Sequence, residues 1–361
     1  MKKIDCHSYI VEVGNLELSS FPQLLTETYK DVRKVIVVDE NTHDFCLEYL
    51  LTAFPTLEEA EVILLPTGEE NKVMEVCFQV LEALSEYGIV RSDLVITLGG
   101  GVVSDMGGFI ASIYKRGLDC IHIPTSLLGM VDAALGGKTG IDLGSFKNQI
   151  GTFHNPKAVF VDQRFLASLP EEEWKSGFAE VLKHALIADK AEWERLISSK
   201  QNELFSEESV SQILEKSIAI KAQVVTEDPQ EKGKRKILNF GHTIGHAIEG
   251  YYLELNPVSH GNCIALGMIA EAFLSNQKGT LTTEELNEVV QVMRAFYPCP
   301  EDLLTGVSVM IELMKNDKKN DQLGVRTCFL DRIGECSWNH LIDENDIKMA
   351  LNYLYQAYYK N

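Results

Sequence analysis

Hydrophobic positions in the first half of the chain gather into short β-branched runs: Lys34 to Asp39 (KVIVVD), Glu61 to Leu65 (EVILL), Leu94 to Leu98 (LVITL), Cys120 to Ile123 (CIHI) and Ala158 to Asp162 (AVFVD). Runs of this length, separated by helix-length mixtures of polar and apolar residues, predict strands covered on both faces. They describe a mainly parallel sheet flanked by helices. The pattern changes at Pro170-Glu171-Glu172-Glu173. Beyond it, helical periodicity dominates from Trp174 to Leu274 and from Thr282 to Phe296, and Arg326 to Leu330 (RTCFL) reads as either a short strand or a buried loop. The expectation is an α/β domain over residues 1–172 followed by an all-α domain over 173–361, a division that suits a chain of 361 residues.

Composition narrows the class. The eight cysteines are scattered, with no C-x-x-C pair, which fits free thiols in a reducing cytosol. No apolar leader follows Met1-Lys2-Lys3-Ile4-Asp5 and no apolar run is long enough to span a bilayer, so a cytoplasmic protein without a membrane partner is expected. A net charge of -20 argues against a nucleic-acid partner, because binding a phosphate backbone needs a positive field.

The strand Leu94 to Leu98 opens onto Gly99-Gly100-Gly101-Val102-Val103-Ser104-Asp105 and an apolar helix. Consecutive glycines let backbone N–H groups approach a pyrophosphate, and the helix turns its positive N-terminus to the same anion, a Rossmann-like arrangement. The segment reads G-x-G-x-x-S and misses the usual dinucleotide fingerprint; a plain tight turn would also use glycine. Asp39 ends an earlier strand and could hold a ribose hydroxyl, although in the common order that acid follows the glycine loop. Glu69 and Lys72 lie on another loop after a strand.

From Pro124 to Asn148 the chain is again dense in candidates: Thr125 and Ser126 offer hydroxyls, and Asp132 sits in an apolar helical stretch where a carboxylate needs a partner or a task. Gly136-Gly137-Lys138 looks like the end of a phosphate-binding P-loop, but the first glycine of that pattern is missing, which excludes a nucleotide triphosphatase of that type. Lys138, Lys147 and Asn148 remain as donors for an oxygen-rich substrate.

Three of the nine histidines fall within nineteen residues: His242 and His246 in Asn239-Phe240-Gly241-His242-Thr243-Ile244-Gly245-His246, and His260. A pair at i and i+4 shares one helix face, about 6 Å apart along the axis, close enough to meet one metal ion or one anionic substrate. Gly241 and Gly245 precede the pair, and glycine inside a helix costs roughly 1 kcal/mol against alanine. Close approach of a ligand or of another backbone would explain them.

Together these segments resemble the 3-dehydroquinate synthases, the family that performs the second step of the shikimate pathway. The resemblance rests on GGGVVSDMGGF (99–109), IPTSLLGMVDAALGGKTGID (123–142), KNQIG (147–151), FAEVLKHA (178–185), LNFGHTIGHAIE (238–249), HGNCIALGM (260–268) and DKK (317–319), in the family's order. It implies an N-terminal NAD-binding domain, a C-terminal helical metal-binding domain, an active site in the cleft between them, and a homodimer. The metal, normally zinc with cobalt also accepted, would fall to Glu180, His242 and His260. His246 would then join Lys138, Asn148, Lys183, Lys221, Arg235, Asn239 and Lys318 around the substrate, with Lys318 preferred to Lys319, and Arg116 would reach the neighbouring subunit's site. NAD would meet Asp39, Glu69, Lys72, Gly100, Gly101, Val102, Asp105, Thr125, Ser126, Asp132, Lys138, Lys147 and the turn Phe165, Leu166, Ala167 and Ser168.

The implied reaction turns 3-deoxy-D-arabino-heptulosonate 7-phosphate into 3-dehydroquinate and phosphate. A hydroxyl carbon gives hydride to NAD, phosphate leaves by β-elimination, hydride returns, the ring opens, and an intramolecular aldol step closes the carbocycle. The residue types suit it. Two histidines and one carboxylate leave open metal positions for substrate hydroxyls, Glu180 and Lys183 lie one helical turn apart, and clustered lysines give an acidic protein a local positive field for an anionic sugar. His246 could position groups or shuttle a proton. Two other readings share the architecture: further sugar phosphate cyclases, such as the 2-deoxy-scyllo-inosose and 2-epi-5-epi-valiolone synthases, and polyol dehydrogenases of the iron-dependent or glycerol type. Asn239, His246 and the DKK block follow the dehydroquinate pattern.

Overall fold

A computed structural model describes the chain from Met1 to Lys360 apart from Ser145, Lys200, Glu254 and residues 316–323. It forms two compact units, Met1–Trp174 with Val210–Thr226, and Lys175–Ser209 with Glu227–Asn361. The segment Val210–Thr226 thus groups with the first unit although it lies well beyond residue 172.

The first unit is built on a seven-stranded sheet in the order β1-β2-β9-β6-β5-β3-β4. Its strands are β1 (Lys2–Asp5), β2 (Ile10–Val13), β3 (Lys34–Asp39), β4 (Glu61–Leu65), β5 (Leu94–Gly99), β6 (Asp119–Pro124) and β9 (Ala158–Val161). Only β1 runs antiparallel to its neighbour. All five apolar runs are strands, and β5 is buried along its whole length, as expected for a strand covered on both faces. Helices α1 (Met74–Glu86) and α2 (Gly101–Ile113) cover one face, where Val80, Leu84, Met106 and Ile110 join Val35, Val37 and Val95 in a single apolar cluster. Each such side chain contributes roughly 1.5–3 kcal/mol when fully buried. A separate hairpin, β7 (Lys138–Leu143) with β8 (Phe146–Phe153), carries the Gly136-Gly137-Lys138 segment into a strand and not into the helix that a P-loop requires.

Chain order makes β3 the turning point of the sheet. β4 is laid on one side of β3 and β5 on the other, so the crevice at the carboxyl ends of β3 and β5 is a topological switch point, where open α/β sheets bind ligands. Asp39 and the Gly99–Gly101 turn stand at that edge.

One buried histidine makes the first unit sensitive to acid. His122, inside β6, shares a 2.7 Å hydrogen bond between its Nδ1 and Thr97 Oγ1 on β5. Burial, helped by nearby His154, pulls its pKa from 6.5 down to about 4. Below pH 6.5 the unfolded chain takes up a proton that the folded one refuses; the stabilisation is whole above that pH and is lost as pH falls through 4, amounting to about 3 kcal/mol. Urea titrations of a His122→Gln variant should show a flatter stability profile across this window than the parent protein; an unchanged profile would rule the effect out.

The second unit is helical, with α3 (Glu171–Ala188), α4 (Lys190–Ser198), α5 (Glu207–Glu227, shared between the units as above), α6 (His242–Tyr252), α7 (His260–Gln277), α8 (Thr283–Phe296), α9 (Val307–Lys315) and α10 (Glu344–Tyr359). Helix α7 is buried on every side and forms its core. The RTCFL run is the strand alternative: β10 (Val325–Arg332) pairs antiparallel with β11 (Glu335–Ile342), so the helical unit carries one hairpin. Among the described residues no helix is long and apolar enough to cross a membrane.

Helices α6 and α7 touch backbone to backbone. A Cβ on Gly267 would stand 1.9 Å from Gly241 O, and one on Gly245 would stand 2.8 Å from Cys263 O. Of the two explanations open for the glycines before the two histidines, a ligand or another backbone, the packing supplies the second: both serve contact with another helix.

Candidate active site

Gly241 caps α6 in the left-handed region, with φ at +81°, and this turn puts His242 at the helix start with His246 one turn on, their ring centroids 5.0 Å apart. His260 begins α7, with its ring 5.7 Å from His242 and 5.8 Å from His246. Glu180, in the middle of α3, has no exposed surface. Its Oε1 lies 3.5 Å from His242 Nε2 and 3.8 Å from His260 Nε2. These spacings are long for direct hydrogen bonds but suit donors that share one ion. Ligand-type atoms of Glu180, His242 and His260 all fall within 4.8 Å of one another; those of His246, Glu249 and His260 form a second such group.

The other ring nitrogens are engaged. His242 Nδ1 lies 3.3 Å from Phe240 O, and His260 Nδ1 lies 3.4 Å from Glu249 Oε2. Both contacts favour a proton on Nδ1, leaving Nε2 of each ring toward Glu180. Lys183 Nζ bonds the second oxygen of Glu180, and both side chains are buried. Burial works against charge on His260, but Glu249 and Glu180 outweigh it and push its pKa up to about 10. Two imidazoles beside a buried carboxylate, with ligand atoms gathered this closely, are the donor set of a zinc site, so the residues fit such an ion.

Immediately before this helix, the turn Lys234–Asn239 carries Arg235 and Asn239. Asp228 holds the turn by accepting the N–H groups of Lys232 at 3.0 Å, Gly233 at 2.7 Å and Arg235 at 3.1 Å; these bonds keep its carboxyl below the usual range despite the opposing effect of burial. Arg235 is buried and donates to Pro229 O at 2.7 Å, and Asn239 donates to Glu231 Oε1 at 2.6 Å.

In the first unit a second constellation forms around Lys72. Its buried ammonium lies 2.6 Å from Asp105 Oδ2, 2.7 Å from Asn148 Oδ1 and 3.8 Å from Glu69 Oε1, while Lys147 Nζ reaches the same Glu69 oxygen at 3.4 Å. Burial opposes charge on Lys72, but Asp105 and Glu69 outweigh it and hold its pKa above that of an ordinary lysine. Asn148 adopts φ +52° and donates its N–H to Asp142 at 2.6 Å. Asp132 has the partner its setting demanded: Lys221 Nζ lies 2.6 Å from its Oδ1. At the switch point, Gly100 caps α2, whose first residues are Gly101 and Val102; the Thr125 N–H donates to Gly99 O at 3.0 Å, and Ser126 Oγ accepts the Gly129 N–H at 3.1 Å. Asp39 caps the short helix after β3 through Thr42. Phe165, Ala167 and Ser168, with Phe45, Tyr49 and Arg164, line a cavity of about 290 Å³, and Leu166 belongs to the same turn. Lys138 and Arg116 are exposed, the latter with φ +70°, and Lys318 lies outside the described residues.

Sequence reasoning missed Asp228, Glu231, Glu249 and Glu271. The spacing of Asp228 ahead of a Lys-Gly-Lys turn hinted at its task; the tasks of the others depend on packing between segments.

A switch-point α/β unit and a helical unit with a histidine–carboxylate cluster define a class of enzyme that pairs a nucleotide site with a divalent metal. Residues 62–176 match the family model for the 3-dehydroquinate synthase N-terminal domain, and residues 177–320 match that for the C-terminal domain. The chain is 34% identical over 343 residues to the 3-dehydroquinate synthase of Parabacteroides distasonis, covering 95% of this chain and 97% of that one. It belongs to the 3-dehydroquinate synthase family. Among solved structures, a 2-epi-5-epi-valiolone synthase from Streptomyces hygroscopicus subsp. jinggangensis with NAD+ and Zn2+ bound is similar at a TM-score of 0.82 and 27% identity, covering 98% of each chain. A 2-deoxy-scyllo-inosose synthase in complex with carbaglucose-6-phosphate, NAD+ and Co2+ shares the fold at a TM-score of 0.84 and 24% identity, covering 98% of this chain and 99% of that one.

Proposed function

We propose that this chain catalyses the 3-dehydroquinate synthase reaction, releasing phosphate and 3-dehydroquinate from 3-deoxy-D-arabino-heptulosonate 7-phosphate, as a cytoplasmic homodimer. The likeness to a synthase of that name along nearly its whole length carries this reading. Residues 1–172 would serve NAD, and 173–361 the metal and substrate. Bound NAD would accept and return hydride, and a zinc or cobalt ion held by Glu180, His242 and His260 would polarise the reacting hydroxyls.

The chain's own residues do the rest. Lys183 occupies one oxygen of Glu180, leaving the other aimed at both Nε2 atoms. Lys138, Lys183, Lys221, Arg235 and Lys318 supply positive charge for the substrate's carboxylate and phosphate, with Asn148 and Asn239 for its hydroxyls and Arg116 acting in the neighbouring subunit. Lys72, with Asp105 and Asn148, fixes the loops on which Glu69 and Lys147 stand beside NAD. His246 sits beside His242 and His260 but outside the Glu180 group, placed to hold or move a proton on the substrate.

The test is to incubate the protein with the heptulosonate phosphate, catalytic NAD and zinc. Phosphate and dehydroquinate should appear together with no net NADH. Phosphate released only from sedoheptulose 7-phosphate or glucose 6-phosphate would assign another cyclase, and net NADH a dehydrogenase.

A further inference from the structure

Glu271, on helix α7, is a fully buried carboxylate that the proposed chemistry does not use. Its oxygens close the start of α6. Oε2 accepts the Gly241 N–H at 2.9 Å, and Oε1 accepts the Thr243 N–H at 3.1 Å and the Ile244 N–H at 3.3 Å. A helix ordinarily satisfies these first amides with a Ser, Thr, Asp or Asn side chain at its own cap. Here the cap is Gly241, which has no such group and no room for one: a Cβ would lie 2.5 Å from Met268 Cγ and 2.9 Å from Ile264 O, at a φ of +81°. The capping oxygens therefore come from another helix.

Gly267 brings that carboxylate within reach, and Ser275 ties only the helix backbone to its neighbour. The absence of a side chain on Gly267 lets the helices approach closely enough for Glu271 to reach. Ser275 Oγ donates to Glu271 O at 2.8 Å and accepts the Leu330 N–H at 3.0 Å, anchoring this part of α7 to β10. His242 is the first residue of α6, flanked by two of the three amides that Glu271 holds, and its Nδ1 faces Phe240 O in the same turn.

We propose that Glu271 is a positioning residue for His242: its charge and three hydrogen bonds set the first turn of α6 so that His242 Nε2 meets Glu180 Oε1 at ion-sharing distance. The inference rests on reading Glu180, His242 and His260 as the metal ligands. A glutamine of the same size would turn an NH2 group onto at least one backbone N–H and remove the negative charge from a helix N-terminus.

The experiment compares zinc affinity, by competition with a chromogenic chelator, in the wild type, Glu271→Gln, Glu271→Asp and Ser275→Ala, with melting temperature, kcat and KM measured alongside. Glu271→Gln should bind zinc about 10–100-fold more weakly, as loss of a ligand's supporting partner generally does. Glu271→Asp, which keeps the charge but has a shorter reach, should fall between it and the wild type. Ser275→Ala should hold zinc within about twofold of the wild type even where its melting temperature drops as far, because the bonds at the start of α6 stay intact. Wild-type affinity in folded Glu271→Gln would overturn the proposal, as would an equal loss in Ser275→Ala at equal melting temperature. If the glutamine variant does not fold, wild-type affinity in Glu271→Asp overturns it. Failure of the wild type itself to bind zinc would remove the ligand assignment beneath it.

Discussion

Glu180→Gln is expected to lose tight zinc binding and to lower kcat/KM by about three orders of magnitude or more, since the metal's role in polarising hydroxyls is worth several kcal/mol and each 1.36 kcal/mol is a tenfold rate. The same change should cost stability through a separate route. Lys183 is buried and bonded to Glu180, so neutralising the acid leaves a buried ammonium without its counter-charge, at about 3 kcal/mol. The two effects can be separated. In a Glu180→Gln/Lys183→Met double variant, denaturant unfolding should recover much of the stability, whereas activity and zinc content should stay lost. A single variant with full zinc content and wild-type kcat/KM would remove Glu180 from the chemistry.

Gly267→Ala should be among the most damaging changes of a single methyl group in the chain. Its Cβ would sit 1.9 Å from Gly241 O and 2.7 Å from Gly245 N, both backbone atoms that cannot swing aside. Relief requires α6 and α7 to separate, which breaks the packing of the central helix and draws the Gly241, Thr243 and Ile244 amides away from Glu271. Overpacking of this kind costs about 3 kcal/mol or more when the neighbours are rigid. Thermal and urea unfolding check the cost. The affinity for zinc should fall along with stability, because His242 rides on the displaced turn. A variant as stable as the parent would mean that the two helices do not meet as described.

The β-branched runs were visible in the chain because β3, β5, β6 and β9 are mostly apolar and buried on both faces, and β4, at the sheet edge with Leu64 exposed, keeps the same β-branched and aliphatic composition. β1 and β2 were not, since KKID is exposed and IVEV hides a buried Glu12 that is bound by Ser20 and Lys3. The β7–β8 hairpin escaped for another reason. It is polar and places Gly140 opposite Gly151, so backbone contact carries it with little help from the side-chain pattern. At the site, the histidines announced themselves by spacing alone. Glu249 and Glu271 did not, because each acts on a residue of a different helix, and nothing in local sequence tells a buried capping acid from a surface one. The glycines show the same limit: sequence established that something needed them, and only the packing of α6 on α7 shows that it is a backbone.

The most direct measurement is a crystal structure of the zinc-loaded protein with anomalous data collected at the zinc edge. One ion should appear, bonded to a Glu180 oxygen and to the Nε2 atoms of His242 and His260, with His246 off the metal. An ion held by His246 in place of His260, or one away from Glu180, would contradict this assignment.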